Sequence, residues 1–134
     1  MKELLIIAGS ESDRAFVEKG LEVADELGIN YEFKIYSAHR NLVELLAYLD
    51  DVTNAGKTRV IIAVAGLSAA LPGVIAAKVK FPVIGVPINV GALNGIDALL
   101  SIAQMPKGVP VGCMGIGNQG MINSVLFAQK ILNA

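Results

Sequence analysis

The chain predicts a three-layer α/β sandwich, a mostly parallel five-stranded sheet with helices on both faces, and three observations carry that prediction. Short apolar runs alternate with segments of helical period along nearly the whole length, the pattern of βαβ units. Those runs are mostly continuous rather than alternating, as strands covered on both faces require. Hydrophobic residues make up 54% and charged residues 17% of the 134. That is rich in apolar side chains for a soluble monomer, and a doubly covered sheet and a subunit interface are the two outlets.

Each element has its own signal. Leu4–Ala8 (LLIIA) is a strand stopped by Gly9-Ser10. Residues 13–27 place Phe16, Val17, Gly20, Leu21, Ala24 and Leu27 at a helical period, and Gly28 ends it. Residues 31–36 alternate as a second strand. Leu42, Val43, Leu45, Leu46, Leu49 and Val52 mark a second amphipathic helix, closed near Gly56. Residues 59–65 (RVIIAVA) are β-branched and continuous, the best strand signal in the chain. Leu71–Lys78 reads as a short helix, 82–86 as a fourth strand, 95–104 as a helix, 109–114 as a fifth strand and 121–132 as the last helix. With no internal repeat, low-complexity tract or linker, residues 1–134 read as a single α/β domain long enough for a real core. The arrangement is flavodoxin-like, and such sheets bind ligands at the carboxyl ends of the strands where strand order reverses, here between the first and third strands.

Composition removes several function classes. A net charge of −1 and the lack of any Lys/Arg run leave no footprint for nucleic acid or a membrane surface. Residues 60–77 are uncharged and just long enough to span a bilayer, but Gly66, Ser68, Pro72 and Gly73 break them into strand, turn and helix. Cys113 is alone, so neither a disulfide framework nor a cysteine-rich metal site fits within one chain. Met1-Lys2-Glu3 leads straight into a strand-like run without a signal-peptide layout. A cytoplasmic protein is expected.

The turns at the strand ends hold the chemistry. After the first strand, Gly9-Ser10-Glu11-Ser12-Asp13 has the Ser10/Asp13 spacing of a capping box. The same turn offers amides and a helix dipole to a phosphate, with Asp13 able to accept from sugar hydroxyls. After the second, Ser37-Ala38-His39-Arg40 sets a guanidinium suited to bidentate phosphate contact beside the only imidazole of the chain. Ser37 is placed to donate to the same phosphate. After the third, residues 65–73 (AGLSAALPG) are small enough to let backbone approach a flat ligand. A metal site, a P-loop and a Cys/His nucleophile pair are absent from the sequence. A phosphorylated small molecule handled by one acid/base histidine is the expected chemistry.

These turns, with Leu71-Pro72-Gly73, Pro82-Val83-Ile84-Gly85-Val86-Pro87, Ala92-Leu93-Asn94-Gly95, Asp97-Ala98-Leu99-Leu100-Ser101-Ile102 and Gln104-Met105-Pro106, resemble the N5-carboxyaminoimidazole ribonucleotide mutase family over essentially the whole chain. The resemblance implies a step of de novo purine biosynthesis. The carboxylate moves from the exocyclic nitrogen to ring carbon C4, through carbon dioxide held in a closed pocket, with no metal or cofactor. It makes His39 the general acid/base. The substrate-binding set is then Ser10, Ser12, Asp13, Ser37, Arg40, Gly66, Ser68 and Leu71, with Arg40 on the phosphate and Asp13 on the ribose. It also implies a cytoplasmic homo-octamer with sites at subunit interfaces.

Two departures from the family pattern stand out. Residues 66–73 read GLSAALPG where the mutase loop reads GGAAHLPG, so Ala70 occupies the place of a second histidine. A related branch, a carboxy-lyase acting directly on aminoimidazole ribonucleotide and carbon dioxide, has SNAL in that loop, which Ser68-Ala69-Ala70-Leu71 partly matches. That branch follows its fourth strand with a double proline, whereas Pro87 precedes Ile88 here. The mutase is the favoured reading. The alternatives are the direct carboxylase and a ribonucleotide binder without turnover. Family members also continue into a further C-terminal helix, which this sequence is expected to lack.

Overall fold

The computed structural model describes residues 2–134; Met1, at the head of the N-terminal run read above, lies outside them. The order is β1 (Leu4–Ala8), a 3-10 turn (Glu11–Asp13), α1 (Arg14–Glu26), β2 (Tyr31–Ile35), α2 (Leu42–Ala55), β3 (Val60–Ala65), α3 (Leu71–Lys78), β4 (Val83–Pro87), α4 (Ile96–Ala103), β5 (Gly112–Cys113) and α5 (Gly117–Leu132). The five strands lie in the order β2-β1-β3-β4-β5, and every pairing is parallel. The chain leaves β1 toward one edge and returns beyond it through β3. This is the flavodoxin-like switch point.

Alternation along the strands divides the core in two. Leu4, Ile6 and Ala8 join Val60, Ile62 and Val64 on the face covered by α1 and α5. Leu5 and Ile7 join Ile61 and Ala63 on the face covered by α2, α3 and α4. The three middle strands are buried at every position, which is why their sequences are continuous apolar runs. Fully buried side chains such as Ile61, Ile62 and Ile75 each contribute about 1.5–3 kcal/mol of transfer free energy. Residues 60–77 form β3, a turn and most of α3. Among the described residues no helix is long and apolar enough to cross a membrane.

Several boundaries shift from expectation, most by a single residue, and three of the shifts have a clear cause. The helix expected from residue 13 begins at Arg14, because the Asp13 amide bonds the Ser10 carbonyl at 3.0 Å and closes a 3-10 turn first. The strand expected over 109–114 shrinks to Gly112–Cys113, which pair only with Ile84 and Gly85 of β4. Residues 106–110 before it are occupied by a turn, with the Val109 amide on the Pro106 carbonyl at 3.1 Å and Pro110 unable to donate. The last helix starts at Gly117 rather than 121. Its Gly120 is mandatory, since a Cβ there would lie 2.0 Å from the Gly115 carbonyl oxygen.

Candidate active site

The carboxyl ends of β1, β2 and β3 open on a cleft of about 280 Å³ lined by the three turns, with Val90 entering from the segment after β4. Larger hollows exist: about 720 Å³ near Lys2, Arg59 and Asn133, and about 600 Å³ near Phe81 and Phe127. The first lies at the amino ends of the strands and the second along the β5 edge. Neither holds the imidazole. Chemistry, not size, singles out the cleft at the switch point.

The first turn is a modified capping box. Ser10, in extended backbone, accepts the Ser12 amide on Oγ at 3.3 Å, and the two hydroxyls lie 2.9 Å apart. Asp13 is buried, at 7% exposure. Burial pushes its carboxyl above the ordinary value, and hydrogen bonding from the Ser10 backbone pulls the other way. Next along the chain, Arg14 is tied to Glu11 through two bonds, its Nη2 donating to Oε2 at 3.1 Å.

The second turn is built by its own side chains. Ser37 Oγ accepts from the His39 amide at 3.2 Å and the Arg40 amide at 3.1 Å. The Ser37 amide donates to Asn41 Oδ1 at 3.2 Å, and the Asn41 amide returns to the Ser37 carbonyl at 2.9 Å. Such local bonds are how Ser and Asn hold a turn outside regular structure. Ser37 therefore organises the turn through its lone pairs and keeps its O–H free to donate. His39 and Arg40 are exposed, and Arg40 takes part in none of the three ion pairs among the described residues.

The third turn forms an apolar wall. Gly66 admits no side chain, since a Cβ would lie 2.7 Å from Val90 Cγ2 and 2.9 Å from Ile88 Cγ1. Leu67 takes φ +56°, a left-handed backbone uncommon for a bulky residue. Ser68 is exposed and its carbonyl accepts the Ala70 amide at 2.8 Å. Leu71, buried at 2% exposure, presents an aliphatic floor rather than a polar contact.

All nine residues singled out from the sequence, Ser10, Ser12, Asp13, Ser37, His39, Arg40, Gly66, Ser68 and Leu71, line this one cleft. Sequence reasoning missed Val90, which reaches the cleft because β4 pairs with β3. It also missed Asn41, whose position one residue before a helical period is a turn signal. The arrangement sets a guanidinium outside any ion pair among the described residues, an imidazole, four hydroxyls and a carboxylate around a hollow with one apolar side.

A family model described as AIR carboxylase matches residues 3–134. The chain is 48% identical over 129 residues to the N5-carboxyaminoimidazole ribonucleotide mutase of Bacillus subtilis, covering 96% of this chain and 79% of that protein. It is 46% identical over 129 residues to the enzyme of the same name from Pseudomonas aeruginosa, covering 96% and 78%. The crystal structure of Treponema denticola PurE superposes with a TM-score of 0.86 at 28% identity, over 97% of this chain and 79% of that one. The chain belongs to the AIR carboxylase family.

Proposed function

We propose that this protein is an N5-carboxyaminoimidazole ribonucleotide mutase, an isomerase of purine biosynthesis. The observation that carries the reading is the cleft itself, where the one histidine of the chain stands beside an unpaired arginine and a small-residue wall. Close relatives bearing the mutase name support it.

Arg40 grips the phosphate, assisted by the hydroxyls of Ser10, Ser12 and Ser37; Asp13 accepts from the ribose hydroxyls. In the substrate the carbamate C–N bond breaks, carbon dioxide departs and the electron pair stays on nitrogen. His39, as imidazolium, gives that nitrogen a proton. Ring carbon C4 then attacks the carbon dioxide, forming the new C–C bond. Neutral His39 removes the C4 proton and is returned to its starting state. Over the cycle one proton moves from C4 to nitrogen, and no other reactant is consumed. Gly66, Ser68, Ala70, Leu71 and Val90 give carbon dioxide a mostly dry wall, which limits its escape to water.

The chain acts as one domain in a cytoplasmic homo-octamer on this reading. Supporting assembly, Leu93, Ile96 and Leu100 are 57–60% exposed in and beside α4, apolar surface that a subunit contact would cover.

A paired assay tests the proposal. One sample holds N5-carboxyaminoimidazole ribonucleotide; the other holds aminoimidazole ribonucleotide with bicarbonate and no ATP. Fast conversion in the first alone is expected, and would show that Ala70 is tolerated. Fast conversion in the second alone would make the protein a direct carboxylase, a lyase. Silence in both would leave a ribonucleotide binder.

A further inference from the structure

The His39 turn is anchored from outside the cleft. Along the edge strand β2, Glu32, Lys34 and Tyr36 alternate onto the face that α2 covers. Tyr48, on α2, reaches that row at three points. Its hydroxyl donates to Glu32 Oε1. Its ring stacks on Tyr36 with centroids 5.3 Å apart and planes 28° off parallel. The Lys34 ammonium lies 5.8 Å from the Tyr48 ring centroid, within cation–π reach. Burial, with the Glu32 hydrogen bond second, holds the Tyr48 hydroxyl well above the ordinary phenol range, so it stays a donor at neutral pH.

Position along the chain gives this cluster its meaning. Tyr36 extends the β1–β2 ladder by one step, its amide on the Ala8 carbonyl at 3.0 Å, and the next residue is Ser37 of the cleft. The turn then re-enters regular structure at Leu42, the first residue of the helix that bears Tyr48. The Tyr36–Tyr48 stack therefore ties together the two flanks from which the turn is suspended. Within the turn the Ser37 and Asn41 bonds fix shape, but they do not fix where the turn sits over the sheet.

We propose that Tyr48 is a positioning residue for the His39 and Arg40 turn: by gripping Glu32 and stacking on Tyr36 it locks the end of β2 to α2 and aims the imidazole into the cleft. The kinetic half of this inference rests on the mutase reading; the structural half does not.

The lone histidine makes the test direct. The imidazole Cε1 proton of His39 is the only such signal in the chain and can be followed by NMR in the wild type, Tyr48→Phe, Tyr48→Leu and Tyr36→Leu, each also melted thermally. The wild type should give one narrow line, distinct from free histidine. Tyr48→Leu should broaden that line or move it toward the free position. Turnover should fall roughly tenfold to a hundredfold with KM changed little, as when a reacting group is misplaced by a fraction of an ångström. Tyr48→Phe keeps the stack and loses one hydrogen bond, so it should rescue turnover to within roughly threefold of wild type. Tyr36→Leu, which removes the stack from the strand side, should reproduce Tyr48→Leu and decides the matter if Tyr48→Leu does not fold. An unmoved line and unchanged turnover in the leucine variants, even with a lower melting temperature, would reduce Tyr48 to packing and overturn the proposal. If the wild type turns over no substrate, the mutase reading fails while the NMR comparison still decides the positioning role.

Discussion

Two arginines stand at the turns of the cleft, and only one is free. Arg14 is spent on Glu11 and lies 5.1 Å from the Phe33 ring centroid; Arg40 has no ion-pair partner among the described residues. A guanidinium with an open fork beside the sole imidazole is the residue-scale basis for proposing the phosphate and acid/base roles. His39→Asn should therefore lower turnover by 10²-fold or more, a typical loss for a general acid/base, while affinity for the ribonucleotide changes by less than about threefold. Single-turnover kinetics with separately measured binding checks both numbers. Asp13 yields a prediction in pH. Its folded pKa is raised from the ordinary 3.8, so the folded state holds the proton more tightly than the unfolded one. The stability this represents is fully present below the unfolded pKa and is lost as pH rises through the folded value. At neutral pH the ionised carboxylate thus costs stability. Asp13→Asn should melt higher than wild type at pH 7, with the difference shrinking toward pH 3.5, and should bind the ribonucleotide more weakly. Melting curves across that range check the sign.

At the scale of elements, the last helix is docked by the absence of a side chain. Gly120 faces the Gly115 carbonyl, and a methyl group there would overlap it at 2.0 Å. The helix could relieve that only by moving Met121, Val125 and Ala128 off the sheet, all of them fully buried. Gly120→Ala should cost about 1–3 kcal/mol, the usual range for an overpacked core, and more if the first turn unwinds. Urea unfolding should show the midpoint falling with the slope unchanged. Residues 117–120 (GNQG) carry no apolar side chain, so hydrophobic period alone starts this helix at Met121, four residues late. β5 erred in the opposite direction. Residues 109–114 have strand composition, but an edge strand has one partner, and the turn at 106–109 leaves only two residues in register.

For the molecule as a whole, three of the ten large apolar residues exposed among the described residues fall in or just before one helix. Ile96 and Leu100 sit one helical turn apart on α4, with Leu93 just before it. Leu100→Asp should leave the monomer folded, because that side chain is 60% exposed, yet should shrink the particle seen by sedimentation velocity if this face closes an assembly. An unchanged particle would place the contact elsewhere.

What the sequence determined by itself is everything that local chemistry controls. The order and type of the elements follow from hydrophobic period. The carboxyl-end turns follow from Gly, Ser and Asp at strand stops, and in a parallel sheet those turns meet at one edge, so nine residues of one cleft were legible before any coordinates. Tertiary structure decided what depends on partners far along the chain. Tyr48 finds Glu32 sixteen positions away. Val90 arrives only because β4 pairs with β3. Periodicity reports which face a residue takes; it carries no record of which neighbour will be waiting there.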